Sequence, residues 1–353
     1  MLSRRNFLIL TGAMAAGVHV PGAAAALAAK DAAHVANPMT FVNPEFRGAL
    51  RNLPQQGRPG PITRANLPKL RAMMNDFSAP VRHTPKVARR LIPGLDGESN
   101  IPIYVIGADP GAAKPAVLHI HGGGFIAGSA FGNIGVTQGI AAACDCVVVA
   151  PEYRLAPETP FPGPLDDNYA ALLWMHAHVG ELGVDPDRIA IMGESAGGGL
   201  AAMLAIAARN RGEVPIVFQV LIYPMLDDRT GSTRSVPQFM GQFMWTRQNN
   251  RFGWSALLGE PAGSVSVPPG SVPARVRNLA GLAPAFIGVG SIDLFANEDI
   301  EYARRLMDSA VPTELLVIPG GFHGFDLVAP DAALSQEFTH AWQNALRRAL
   351  AKT

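Results

Sequence analysis

Gly193-Glu194-Ser195-Ala196-Gly197 sets a serine between two glycines, after the apolar run 189–192 and before the alanine-rich stretch 196–210. A strand, a sharp turn and a helix in that order lift a serine hydroxyl above a sheet, and the turn is so tight that flanking side chains would clash. Such a hydroxyl is a weak nucleophile at neutral pH. It needs a base to take its proton and a carboxylate to hold that base in one tautomer. In chains with this kind of turn the three groups follow in the order Ser, Asp or Glu, His. Downstream of Ser195 the histidines are His323 and His340. His323 stands in Gly320-Gly321-Phe322-His323-Gly324-Phe325, where a loop leaves the apolar run 315–318, whereas His340 falls inside a terminal helical pattern. His323 is therefore the expected base.

For the carboxylate the chain offers Asp293, just after the apolar run 286–289 in Gly290-Ser291-Ile292-Asp293. Glu298 and Asp299 come at the start of the next helical pattern, where acids in a first turn have a helix-dipole explanation. Asp326 is too near His323 in sequence to be its obvious partner, and Asp227, which also follows a strand, stays open as an outside alternative. A third element, His121-Gly122-Gly123-Gly124-Phe125, follows the run 117–120. Glycines at a strand end let backbone N–H groups come close to a ligand, as the oxyanion of a tetrahedral intermediate requires. Gly123, Gly124 and the amide of Ala196 are the expected donors. His121 is expected to orient the loop by hydrogen bonding, with Gly122 and Glu194 in supporting positions.

Metal and nucleotide chemistry find no comparable pattern. His119 and His121 lie two apart on a strand and His176 and His178 two apart on a helix, without Cys, Asp or Glu at ligand spacing. No GxGxxG follows a strand in a dinucleotide setting, and no GxxxxGK occurs. No metal and no cofactor is expected.

The elements that must carry these groups are legible from their apolar runs. Residues 87–92 and 101–106 read as strands joined through Gly94-Leu95-Asp96-Gly97, a hairpin signal. Runs with little polar alternation recur at 117–120, 147–150, 189–192, 216–223, 286–289 and 315–318, with helical stretches at 165–179, 196–210 and 299–309. Such alternation predicts an α/β fold, a parallel sheet covered on both faces. The rhythm is interrupted at 227–282, read as an insertion that packs with the N-terminal segment 31–85 as a cap over the core, 86–226 and 283–353. That N-terminal segment carries one helical pattern, 67–77. Phe239, Phe243, Trp245, Phe252 and Trp254 crowd the insertion, either to line a pocket or to pack the cap.

Composition narrows the class. The chain has 353 residues, a formal net charge of +1, 48% hydrophobic and 16% charged residues, against about 25% charged in an average domain. A disordered chain and an electrostatic nucleic-acid binder are excluded. Residues 1–30 contain no Asp or Glu, open on Ser3-Arg4-Arg5-Asn6-Phe7-Leu8 and end in alanines. They read as a signal peptide of the twin-arginine type, hence an exported protein, periplasmic or secreted. A retained anchor is the rival, but His19, Pro21 and Gly22 cut the apolar run short of a membrane span and no stable membrane partner is expected. Cys144 and Cys146, one residue apart, are a poor fit to a disulfide and are expected as buried thiols at the start of a strand.

His121-Gly122-Gly123-Gly124-Phe125, Tyr153-Arg154-Leu155-Ala156-Pro157-Glu158, Gly193-Glu194-Ser195-Ala196-Gly197-Gly198, Asp293 and Gly321-Phe322-His323-Gly324-Phe325 together resemble the hormone-sensitive-lipase-like esterases of the α/β-hydrolase superfamily, the bacterial family IV carboxylesterases. The resemblance runs over about residues 85–350. It implies the α/β-hydrolase fold, with an eight-stranded, mostly parallel sheet and a helical cap. It also implies Ser195, Asp293 and His323 as a triad, and small short-acyl or aryl esters as substrates. Two positions depart from the family's habit: Glu194 where Asp or Thr is commoner, and Leu294-Phe295 after Asp293 where Pro-Leu is frequent. The same triad would serve an amide or lactone hydrolase. Plant hormone receptors resembling the family lack the base that His323 supplies here. The residues point to no oligomeric state.

Overall fold

The apolar runs form eight strands of one sheet: β1 (Val87–Ile92), β2 (Ile101–Ile106), β3 (Lys114–Ile120), β4 (Val147–Pro151), β5 (Val184–Glu194), β6 (Phe218–Ile222), β7 (Ala285–Gly290) and β8 (Thr313–Ile318). The computed structural model describes residues 37–53, 60–76 and 80–352; the leader read at 1–30 lies outside them. Across the sheet the order is β1-β2-β4-β3-β5-β6-β7-β8. β1 and β2 form the expected hairpin, in register from Val87 opposite Ile106 to Ile92 opposite Ile101, and β2 meets β4 antiparallel. Every other pair is parallel.

The strands are apolar on both sides because each face carries a core. Ala116, Leu118 and Ile120 of β3 join Val149, Ile191 and Ile287 on one face, and Val117 joins Val148, Val220 and Phe286 on the other. Each of these side chains larger than alanine contributes about 1.5–3 kcal/mol on burial. Helices Gly163–Ala177, Ala196–Arg211 and Ala296–Asp308 place Tyr169, Leu200 and Leu306 in the first core; Ile134–Cys144 and Ala333–Leu350 place Ile140 and Phe338 in the second.

Boundaries differ from expectation in physically instructive places. β5 begins at Val184, five residues before the apolar run, because Val184 pairs with Lys114 across an irregularity in the ladder. The helix expected at 299 starts at Ala296, which draws Glu298 and Asp299 into its buried first turn. Cys144 is not at a strand start: it closes the helix Ile134–Cys144, and Asp145 in a left-handed conformation turns the chain so that Cys146 enters β4. Both thiols are buried and free.

Residues 227–282 add no strand to the sheet. Their helix Arg247–Leu258 begins at Thr246, whose hydroxyl accepts the Asn249 amide at 3.3 Å, and ends at a left-handed Gly259. Ionic contacts pin the segment. Asp227 receives Arg229 and Arg234, Arg234 also reaches Glu301, and Asp228 holds Arg275 and the Gly263 amide. Asn249 accepts the Ile62 amide at 2.9 Å, which joins the insertion to the segment before β1.

Candidate active site

Ser195 follows the last residue of β5 and precedes the helix Ala196–Arg211. Its backbone sits at φ 58, ψ −121, a conformation that costs a non-glycine residue about 1–3 kcal/mol. Neighbours hold it there: the Ser195 amide donates to Ile222 at 2.8 Å, and its carbonyl accepts the amides of Gly199 at 3.0 Å and Met225 at 2.9 Å. The flanking glycines are required by contact. A Cβ on Gly193 would collide with the Gly197 carbonyl, and one on Gly197 with the carbonyl of Ile120.

His323 and Asp293 arrive from the loops after β8 and β7. His323 Nε2 lies 2.9 Å from Ser195 Oγ and Nδ1 lies 2.8 Å from Asp293 Oδ2. A carboxylate can only accept, so Nδ1 carries the proton and Nε2 is free to take one from the serine. Asp293 is fully buried, and its Oδ1 accepts the Phe295 amide at 3.0 Å. The imidazole meets the rings of Tyr223 and Phe295 in T-shaped contacts, with centroids 4.8 and 5.1 Å away. Ser195 is 8% and His323 9% exposed, which leaves a narrow approach for substrate and little bulk water.

The glycine loop after β3 is held residue by residue. His121 donates from Nδ1 to the Gly122 carbonyl at 2.8 Å; burial pushes its pKa down to about 4 against the opposing pull of that bond, so the ring is neutral. Tyr153 stacks on His121 and its hydroxyl donates to the His121 carbonyl at 2.9 Å. Gly124 has φ 63, and a Cβ there would run into the Trp245 indole, which the insertion lays against it. Among the described residues the amides of Gly123, Gly124 and Ala196 donate to no acceptor. Glu194 Oε1 accepts from Nε2 of the buried His119 at 2.9 Å, fixing the side chain beside Ser195.

The structure thus brings Ser195, Asp293 and His323 into one hydrogen-bonded line beside the loop of Gly122, Gly123 and Gly124. Other candidates lie elsewhere. Burial alone would raise the Asp227 carboxyl, but Arg229 and Arg234 outweigh it and hold it below its ordinary value, away from the imidazole. His340 is exposed on the last helix. Glu298 and Asp299 do not serve the dipole of their own helix at the surface. Glu298 Oε1 accepts the amides of Leu226 and Asp227 at 2.7 and 3.1 Å, and both acids are buried. His178 Nδ1 donates to the Trp174 carbonyl, 2.8 Å away, and its ring stacks on that indole. Trp254 packs on Phe125, Phe243 on Phe322 and Phe239 on Phe41, so these insertion aromatics form packing rather than an open wall. The sequence carries no local signal for the role of Tyr153, because its contact with His121 is made across two strand ends.

Chemically, a serine facing an imidazole nitrogen, with free amides alongside, can add to a carbonyl and hold the resulting oxyanion. Comparison with known proteins agrees with that capacity. Residues 117–327 match a family model described as alpha/beta hydrolase fold. The chain is 34% identical over 292 residues to carboxylesterase NlhH of Mycobacterium tuberculosis, covering 79% of this chain and 88% of that one. It is 33% identical over 221 residues to an ethyl acetate hydrolase of Pseudomonas putida, covering 62% and 68%. Among solved structures, a bacterial heroin esterase superposes with a TM-score of 0.79 at 38% identity, over 90% of this chain and all of the other.

Proposed function

The chain belongs to the α/β-hydrolase superfamily, in its hormone-sensitive-lipase-like branch of carboxylic ester hydrolases, and from that premise we propose that it cleaves small, short-acyl or aryl esters through an acyl-enzyme on Ser195. The observation that carries the reading is the continuous line Asp293 Oδ2, His323 Nδ1 and Nε2, Ser195 Oγ, with contacts of 2.8 and 2.9 Å. His323 takes the hydroxyl proton as Oγ bonds to the ester carbonyl carbon, whose oxygen becomes an oxyanion received by the amides of Gly123, Gly124 and Ala196. Collapse breaks the bond to the alcohol, which leaves with the proton from His323. Water then adds to the acyl-enzyme, gives its proton to His323, and the acid departs as Oγ recovers that proton.

Small acyl groups are favoured because Trp245 occupies the space against Gly124, while Trp254 and Phe243 of the insertion pack on Phe125 and Phe322. One relative is named for ethyl acetate, a short-acyl ester. In this reading residues 227–282 and the segment before β1 act together as the cap. Export by the twin-arginine route belongs to the same proposal and rests on Arg4-Arg5-Asn6-Phe7-Leu8.

The test is a panel of 4-nitrophenyl acetate, butyrate and laurate with a matched acetanilide, on wild type and Ser195→Ala. Hydrolysis of acetate and butyrate well above laurate and anilide, falling by about 10⁶-fold in the variant, is expected. Undiminished turnover by Ser195→Ala would refute the mechanism, and a preference for the anilide would make the protein an amidase.

A further inference from the structure

Arg71 holds the glycine loop from outside the catalytic elements. It lies on the helix Leu67–Asp76, before β1. Its Nε donates to the Ile126 carbonyl at 2.8 Å and its Nη2 to the Ala156 carbonyl at 3.1 Å. Two further bonds go to Glu158, Nη1 to Oε1 at 2.9 Å and Nη2 to Oε2 at 2.7 Å. The two carbonyls belong to backbone segments that are themselves joined, since the Ala156 amide donates to the Phe125 carbonyl at 3.0 Å. Within the loop, the amides of Ile126 and Ala127 close back onto the Gly123 carbonyl at 3.1 and 3.0 Å. One planar cation therefore spans both segments at the place where the loop folds back on Gly123. His121 and Tyr153 fix only the beginning of that loop, at the carbonyls of Gly122 and His121.

We propose that Arg71 is a positioning residue for the oxyanion hole, so that the segment before β1 must be docked on the loop for the amides of Gly123 and Gly124 to meet the ester oxygen. The proposal rests on reading those amides as oxyanion donors. Donors of this kind work because they are fixed before charge develops, and a displacement of about 1 Å is enough to cost two orders of magnitude. The Glu158 carboxylate is 62% exposed, so the ion pair contributes little by itself; Glu158 orients the fork and the two carbonyl bonds transmit the constraint. A lysine, with one point of charge and no fork, reaches one of these acceptors at a time.

The experiment uses the full chain and the variants Arg71→Met, Arg71→Lys and Glu158→Gln. It measures kcat and KM on 4-nitrophenyl butyrate and inhibition constants for two ligands. One is an alkyl trifluoromethyl ketone, whose serine adduct carries an oxyanion; the other is the corresponding secondary alcohol, which forms none. Arg71→Met is expected to lower kcat by about 10- to 100-fold with KM little changed. It should weaken the ketone by the same factor and leave the alcohol unaffected; Arg71→Lys should recover part of the loss. A folded Arg71→Met with unchanged kcat and ketone affinity would overturn the proposal. So would equal weakening of ketone and alcohol, which marks a general change of pocket shape. Should Arg71→Met fail to fold, the ketone-to-alcohol ratio in Glu158→Gln and Arg71→Lys decides by the same criterion. A wild type that ignores the ketone while Ser195→Ala stays active would overturn the oxyanion reading itself rather than the role of Arg71.

Discussion

Both oxygens of Asp293 are engaged before any substrate arrives, one by His323 and one by the Phe295 amide. A carboxylate tied twice cannot rotate away, so the imidazole keeps Nε2 toward Ser195. Asp293→Asn should preserve the Phe295 contact and the fold, yet present an N–H to Nδ1 or force the wrong tautomer, lowering kcat by roughly 10⁴-fold. Steady-state kinetics with a thermal melt checks this, and activity within tenfold of wild type would pass the role to another carboxylate. The triad was legible in the sequence because its constraints are local: a glycine-flanked serine after one strand, an acid after another, a histidine in a glycine loop. Arg71 was not, because its acceptors lie 55 to 87 positions away and a side chain reaching a distant backbone carbonyl leaves no periodicity behind. The positions of Leu294 and Phe295, where the family has Pro-Leu, cost nothing in geometry, since Phe295 supplies the second bond to Asp293.

The helix Ala296–Asp308 shows how an element can be misjudged by its charges. Glu298 and Asp299 look like surface acids in a first turn, but the helix starts earlier and buries them beneath the loop at Leu226 and Asp227. Burial, then the charge of Asp227, raises the Glu298 carboxyl well above its ordinary value; burial, then Glu298 and Asp293, does the same to Asp299. A carboxyl raised in the folded chain keeps a proton that the unfolded chain releases from about pH 4 upward. Its contribution to stability is therefore complete below that range and is lost as pH rises through the folded value. Glu298→Gln keeps an oxygen for the two amides, so its melting midpoint should match wild type near pH 4 and exceed it at pH 8. The gain should be about 2–4 °C per kcal/mol of proton-linked stability recovered. A variant curve parallel to wild type across that range would refute it. The strand centres were read from the sequence because two buried faces leave an unbroken apolar run, although β3 and β5 start three and five residues earlier than their runs, whereas buried acids are visible only once the packing is known.

At the scale of the whole molecule, Glu301 through Arg234 and Glu298 through the Asp227 amide fasten the 227–282 insertion to the core, and Asn249 joins it to the segment before β1. Replacing Arg4-Arg5 by Lys-Lys should leave purified activity unchanged while retaining the protein in the cytoplasm; unaltered export in a fractionation assay would refute the twin-arginine proposal. The order of the catalytic groups along the chain has a further effect. Ser195 has its backbone partners once β6 has formed, but His323 comes only after β8, the last strand. A chain growing from its N-terminus folds its early parts first, so a ribosome-bound or prematurely terminated product carries the serine turn and the glycine loop without the imidazole. Turnover thereby requires a chain made at least as far as His323, past the last strand of the sheet.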